Sequence, residues 1–195
     1  MRIERVVSGI TTLGPGKRLV IWTNGCSRKC PGCVSQRLQT IDEFTEMDIE
    51  TLLDGFDFED TDGVTISGGE PFEQISELGR LLMHLRSRGV DDILIYTGYT
   101  LQELHEMQHP NVEYALSQCS VLIDGPYVLS EDTGRGNLKG SENQCIHFLD
   151  LSVKQRYLSY MKDQRSMQEL DMGNIRLGAG IPDRAYIERF QNKNQ

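Results

Sequence analysis

The sequence predicts an α/β fold: a partial, open (β/α) barrel of about five to six parallel strands with helices on the outside. Three observations predict it. Strand-like runs alternate with helix-period runs, the order of βα units. Several of the strand-like runs are continuously apolar, as expected of parallel strands covered on both faces. A complete eight-unit barrel needs about 250 residues, and the 195 residues here supply fewer units. An open barrel leaves a wide mouth, which can admit a large substrate.

Residues 1–17 are polar and end in the turn signal Gly14-Pro15-Gly16. The apolar, β-branched run Leu19–Thr23 reads as the first strand, and Asn24-Gly25 leads from it into a cysteine loop. Residues 34–44 read as irregular linker or a short helix. Thr45 is a good N-cap with Glu46 and Asp48 in the first turn. Ile49, Leu52, Leu53 and Phe56 follow at helical spacing, with Gly55 near the end. Val64–Ser67 is the second strand. The next helix carries Ile75, Leu78, Leu81, Leu82 and Leu85 on one face and stops at Gly89.

Ile93–Thr97 is the third strand. Gly98-Tyr99 turns the chain, and Thr100 with Glu103 makes a capping box. Pro110 suits the first position of another short helix. Val121–Asp124 is the fourth strand, followed by Gly125-Pro126, and the polar, glycine-bearing residues 129–143 are loop. Cys145–Leu149 reads as a fifth strand. Ser152 with Gln155 marks a capped helix, Asn174–Leu177 a sixth short strand, and Pro182 opens a last helix with Ile187 and Phe190. One domain is expected over 1–195, with a core at about 9–150 and a C-terminal extension at 151–195.

The formal net charge is −9, from 29 acidic and 20 basic residues. That balance argues against nucleic acid as a partner, since non-specific binding needs a basic footprint. No apolar stretch approaches the ~20 residues that span a bilayer, and Met1–Arg5 leads into no signal-peptide core. No membrane partner and a cytoplasmic location are expected. Five cysteines, clustered three and two, do not read as a disulfide framework.

Cys26-Ser-Arg-Lys-Cys30-Pro-Gly-Cys33 places three thiols within eight residues as CxxxCxxC. Thiolates are soft ligands for zinc, copper(I) and iron–sulfur clusters. A closed structural zinc site needs four protein ligands, and the compact set stops at three. Spacing alone leaves two readings open. One is structural thiols, or a zinc knuckle completed by a distant ligand. The other is a cubane whose fourth iron is free for an exogenous ligand.

Ser67-Gly68-Gly69-Glu70-Pro71 is the second motif, set between an apolar strand and an amphipathic helix. Glycines let a backbone approach a ligand closely, and Pro71 fixes the turn. Reactive groups in α/β barrels sit at the C-terminal ends of strands. The cysteine loop, Gly68-Gly69, Thr97-Gly98-Tyr99 and Asp124-Gly125 all meet that condition. Thr97 and Tyr99 also fit plain strand-end packing. An unpaired carboxylate at the end of an apolar strand is costly, so Asp124 accepts hydrogen bonds from the loops or from a ligand. Cys119 and Cys145 read as small buried hydrophobes. His84, His105, His109 and His147 show no ligand pattern.

The two motifs, in this order, resemble the radical S-adenosylmethionine superfamily. Within it the chain is similar, over about residues 9–150, to the activating proteins of anaerobic ribonucleoside-triphosphate reductases, which are glycyl-radical-enzyme activases. The residues that carry the likeness include Gly14-Pro15-Gly16, Gly25-Cys26, Cys30-Pro31-Gly32-Cys33 and Ser67–Pro71. They continue with Tyr96–Tyr99, Leu101–Leu104, Asp124-Gly125, Gly140-Ser141 and Asn143-Gln144.

The resemblance implies that Cys26, Cys30 and Cys33 hold one [4Fe–4S] cluster, whose open iron is chelated by the methionine part of S-adenosyl-L-methionine. It implies that Gly68 and Gly69 contact the methionine amino group and that Gly32, Cys33 and Val34 lie against the adenine. Glu70, Thr97 and Asp124 are further cofactor-binding candidates. Glu70 serves equally well to cap the following helix, and Asp124 could meet the loops or the ribose. A low-potential donor such as flavodoxin or ferredoxin would drive reductive cleavage to methionine and a 5′-deoxyadenosyl radical. That radical would take hydrogen from a glycine Cα of a partner anaerobic ribonucleoside-triphosphate reductase. No side chain is assigned an acid–base role, because the cofactor carries the chemistry. Alternatives are another glycyl-radical enzyme or a peptide as substrate, a small molecule being disfavoured because little sequence remains to build a closed pocket. From a different class comes a non-catalytic zinc or iron–sulfur module.

Two departures stand out. The family's Arg-Gly-Ser-Ser-Asn-Gln is Lys139-Gly-Ser-Glu142-Asn-Gln here, and lysine cannot reproduce a planar bidentate contact. Residues 151–195 also extend beyond the shortest family members.

Overall fold

In the computed structural model, which describes residues 1–41, 45–171, 173, 176–183 and 186, the apolar runs assemble into one mixed, mostly parallel sheet. Its strands are β1 (Arg2–Ile10), β2 (Arg18–Thr23), β3 (Thr45–Glu46), β4 (Gly63–Gly68), β5 (Ile93–Tyr96), β6 (Val121–Asp124) and β7 (Cys145–Phe148). They lie in the spatial order β3-β1-β2-β4-β5-β6-β7, with β3 and β7 as its edges. The run β2-β4-β5-β6 is parallel, while β1 joins β2 and β7 joins β6 antiparallel.

The expected five to six consecutive parallel strands are therefore four, and the reason lies in the connections. A parallel neighbour needs a crossover of a dozen or more residues, usually helical. Three crossovers carry α1 (Ile49–Asp54), α2 (Ile75–Ser87), and α3 (Leu101–Glu106) with α4 (Pro110–Gln118). Between β6 and β7 there is only loop and a 3-10 turn at Leu129–Glu131. The chain turns back beside β6 in the opposite direction.

Side-chain parity along each strand sorts the core into two layers. Leu19, Ile21, Ile66, Ile95 and Leu122 face the helices, where Leu53 of α1, Leu78 and Leu82 of α2 and Ala115 of α4 are fully buried. Burying each such leucine contributes roughly 1.5–3 kcal/mol. Val20, Leu94, Val121 and Ile123 face the other way, toward Ile10, Leu13, Leu138, Tyr157 and Ala179. The stop at Gly89 has φ of +80°, the Thr100–Glu103 capping box forms, and Pro110 opens α4.

Other expectations are corrected. β1 lies in the stretch read as polar; its charges alternate with apolar residues, and only Ile3 and Ile10 are buried along it. Asp48, not Thr45, caps α1: its carboxylate accepts from Thr51 N at 3.0 Å, and Thr45 belongs to β3. The linker after the cysteines carries a 3-10 turn at Gln36–Gln39. α5 (Lys154–Tyr160) has no side-chain cap. The Ser152 N–H instead donates to Asp150 Oδ1 at 2.8 Å. The expected sixth strand is displaced to β9 (Arg176–Gly180), which pairs with β8 (Met167–Asp171) as a separate antiparallel hairpin. Asn174, Ile187 and Phe190 lie outside the described residues. Among the described residues no helix is long and apolar enough to cross a membrane.

A buried ion network docks α5. Arg18 is fully buried. Its Nε donates to Thr65 Oγ1 at 2.6 Å, its Nη2 to Val64 O at 2.7 Å and its Nη1 to Asp92 Oδ2 at 3.1 Å. Asp92 also accepts from the Tyr157 hydroxyl at 2.8 Å and pairs with Arg156. One carboxylate thus neutralises the buried guanidinium and ties α5 to the sheet. Breaking a buried pair from one side leaves its partner uncompensated. Asp92→Ala is expected to lose about 3–5 kcal/mol of stability in a denaturant titration. Lys17→Ala, which removes the exposed Lys17–Asp60 pair, is expected to leave the unfolding midpoint where it is.

Candidate metal and cofactor site

β2 and β4 are neighbours in register, with Thr23 opposite Gly68. Gly68 has φ of +107°, and a Cβ there would lie 2.4 Å from the Thr23 backbone. A Cβ on Gly69 would lie 2.3 Å from the Gly25 carbonyl oxygen. Gly69 N donates to Thr23 O, and Glu70 N to Gly25 O, both at 2.8 Å. The glycines were read as clearance for a ligand. They provide clearance first for the chain's own backbone, bringing this turn against the residue that precedes Cys26.

The cysteine loop is braced on several sides. Gly25 N donates to Leu38 O at 2.8 Å and Cys26 N to Gln39 O at 3.3 Å. Ser27 N donates to Glu73 Oε1 at 2.8 Å. The Arg28 guanidinium donates to both Glu103 oxygens, at 3.2 and 3.3 Å, and lies 4.7 Å over the Tyr99 ring. Sequence reading missed Arg28 and Glu73 and saw Glu103 only as a cap. The partners of Arg28 and Glu103 stand 75 residues apart, so no local pattern announces them.

One cavity of about 710 Å³ collects Cys26, Cys30 and Cys33 with the C-terminal ends of β2, β4 and β5 and with Gly125, just after β6. Gly32, Val34, Gly68, Gly69, Glu70 and Thr97 also line it. The three thiols are free and half-buried. Asp124 is not among the lining residues. Its Oδ2 accepts from Leu101 N at 2.6 Å and lies 3.0 Å from His147 Nε2, while Oδ1 accepts from Cys145 N at 3.2 Å. The start of α3 and the strand β7 thus hold its carboxylate. Lys139 turns back on its own loop, pairing with Glu142 at 3.2 Å. Cys119 is buried as expected, whereas Cys145 is exposed, at the start of the edge strand.

Glu70 is buried and accepts three hydrogen bonds: Phe72 N at 3.0 Å and Thr97 Oγ1 at 2.8 Å on Oε1, and Gly98 N at 2.7 Å on Oε2. It caps the turn after Pro71 and clamps the end of β5. Burial pushes its carboxyl up to about 7, against those three donors. Burial also raises the Cys26 and Cys33 thiols, so a metal binding there displaces protons.

Among the described residues these thiols do not converge on a single-ion position, alone or with any His, Asp or Glu. A closed zinc site needs four ligands around one ion. Three free, half-buried thiols lining one cavity are the soft donor set that would hold an iron–sulfur cluster.

A family model described as a 4Fe-4S single cluster domain matches residues 12–147, which include all three cysteines. The chain is 30% identical over 146 residues to the anaerobic ribonucleoside-triphosphate reductase-activating protein of Escherichia coli strain K12, covering 70% of this chain and 91% of that protein. The protein of the same name from Vibrio cholerae serotype O1 is 31% identical over 145 residues, covering 69% and 89%. That of Enterobacteria phage T4 is 27% identical over 152 residues, covering 75% and 93%.

Gly69→Ala would drive the two loops apart. It is expected to destabilise the fold by about 1–3 kcal/mol and to lower the iron retained after anaerobic reconstitution, read by metal analysis. Glu70 gives a pH signature. Its folded-state value is raised, so its contribution to stability is fully present below the unfolded carboxyl range and is lost as pH rises through about 7. Denaturant titrations at pH 5 and pH 8 should show the wild type losing stability relative to Glu70→Gln, which cannot titrate.

Proposed function

The chain belongs to the family of anaerobic ribonucleoside-triphosphate reductase-activating proteins and carries a 4Fe-4S domain, and from that premise we propose that it is a radical S-adenosylmethionine activase of a partner anaerobic ribonucleoside-triphosphate reductase. Cys26, Cys30 and Cys33 would hold the cluster, and S-adenosylmethionine would occupy its open corner. Once bound, the pair supplies one-electron reductive cleavage of the sulfonium, fed by flavodoxin or ferredoxin, and so the radical chemistry that takes hydrogen from a glycine Cα.

The chain's own residues supply placement. The Gly68-Gly69 backbone, held by Thr23 and Gly25, offers a fixed edge beside the thiols for the methionine amino group. A Cβ on Gly32 would stand 3.3 Å from Leu129 and 3.5 Å from Tyr127, so the bare glycine packs closely against those side chains, and adenine would lie in the cavity that Gly32, Cys33 and Val34 line. Glu70 and Thr97 hold the Gly98 turn at the mouth. Arg28, paired with Glu103, keeps the loop between the thiols from swinging out. Asp124 acts through Leu101 and Cys145, positioning the rim. The reading includes a cytoplasmic setting and one domain over 1–195, its sheet curved as an open barrel.

The observation that carries the proposal is that three free thiols and the Gly68-Gly69 edge line one cavity. The test is anaerobic reconstitution, reduction with dithionite, and measurement of methionine and 5′-deoxyadenosine released from S-adenosylmethionine. Wild-type protein should release both, and Cys30→Ala neither. Adding the reductase should then give a glycyl doublet in electron paramagnetic resonance. Cleavage without a doublet would point to another glycyl-radical enzyme or a peptide as substrate. Bound zinc without iron would point to the non-catalytic module.

A further inference from the structure

The family match ends at residue 147, yet the chain beyond it reaches the cavity. α5 and the β8–β9 hairpin pack on the sheet face opposite α1, α2 and α4, Tyr157 against Leu94 and Val121, and Ala179 against Leu13 and Val20. The hairpin is pinned to the end of β1. Thr12 Oγ1 donates to Ala179 O at 2.8 Å, Thr11 N to Gln168 Oε1 at 3.0 Å and Gln168 Nε2 to Gly9 O at 3.1 Å. Met167, Ala179, Ile181 and Pro182 line the same cavity as the thiols.

One side chain fastens this wall to its neighbour. The Arg165 side chain is 3% exposed, and every nitrogen of its guanidinium is used. Nη1 donates to Asp132 Oδ1 at 2.9 Å and to Pro182 O at 3.2 Å. Nη2 donates to Lys139 O at 2.8 Å and Gly140 O at 2.9 Å, and Nε to Gly136 O at 3.0 Å. Asp132, Gly140 and Pro182 all line the cavity. A single planar fork therefore spans the 132–140 loop and the segment leaving β9. Lysine, a point charge on a flexible stem, cannot reproduce it.

We propose that β8, β9 and the segment leaving β9 as far as Pro182 form an integral wall of the ligand cavity and that Arg165 is the positioning residue that locks this wall to the 132–140 loop. The proposal rests on reading the cavity as the S-adenosylmethionine site. It makes the depth of the cavity, and so the fit of the ligand, depend on residues outside the span matched by the family model.

The test uses the full-length, anaerobically reconstituted protein with S-adenosyl-L-methionine as probe. Affinity is read by equilibrium dialysis, iron by metal analysis and backbone opening by hydrogen exchange. In Arg165→Gln, exchange at 136–140 and 176–181 is expected to rise together by about tenfold. Probe affinity should fall about fivefold to tenfold, with iron content at the wild-type level. Arg165→Lys should resemble Arg165→Gln in exchange. Met167→Trp leaves the latch intact and narrows the cavity; it should weaken the probe without raising exchange. Wild-type affinity in both Arg165→Gln and Met167→Trp would overturn the proposal, leaving the extension a mere cover. Wild-type protein that keeps its iron but takes up no probe would overturn the proposed function instead. The exchange arm would then still decide, since uncoupled opening of the two segments in Arg165→Gln would sink the latch.

Discussion

Two backbone hydrogen bonds organise the site: Gly69 N to Thr23 O and Glu70 N to Gly25 O. They weld the turn after β4 to the strand end that leads into the cysteine loop. Nothing larger than hydrogen fits on Gly69, because the Gly25 carbonyl occupies that space. The cysteine loop inherits its position from this contact, and Glu70 then extends the same rigid seam to Thr97 and Gly98 on the next strand. Three adjacent parallel strands thus present their ends as one surface. The fold becomes a site through close approach of main chains, to which side chains add bracing.

Much of this was legible from residue order. Strands β2, β5 and β6 are covered on both faces and carry continuous apolar runs, and β4 differs only in placing Thr65 between Val64 and Ile66. The thiol triplet and the glycine pair were legible because their spacing is short and their chemistry restrictive. β1 was hidden because Arg2, Glu4 and Arg5 interrupt its apolar residues, and only Ile3 and Ile10 are buried along it. The direction of β7 was hidden because periodicity reports a strand but not its sense, which only the absence of a helical crossover decides. Arg28, Glu73 and Arg165 were invisible for another reason: their partners are distant in sequence, and a lone charge in a loop looks like any solvated side chain. A carboxylate closing an apolar strand announces a need for donors, and for Asp124 the backbones of α3 and β7 supply them.

The molecule handles buried charge differently at its two ends. Arg18, beneath the sheet, is matched by Asp92 and by carbonyls, so its burial is compensated and α5 is held as a by-product. Glu70, at the rim, is held by Phe72 N, Thr97 Oγ1 and Gly98 N, and burial pushes its carboxyl up to about 7. The first arrangement favours rigidity. The second keeps a negative charge from standing permanently next to thiols that must themselves become anionic to hold a metal.

The hairpin on the inner face has a consequence for how the molecule is assembled. Thr12 and Ala179 touch although they stand 167 positions apart in sequence, whereas the helix layer is built from crossovers between strands that are neighbours in the sheet. Contacts that span most of a chain are met late, because loop-closure entropy must be overcome before they contribute. The back of the chamber is therefore closed by the most sequence-distant contacts the cavity uses, those that bring β8 and β9 against the end of β1.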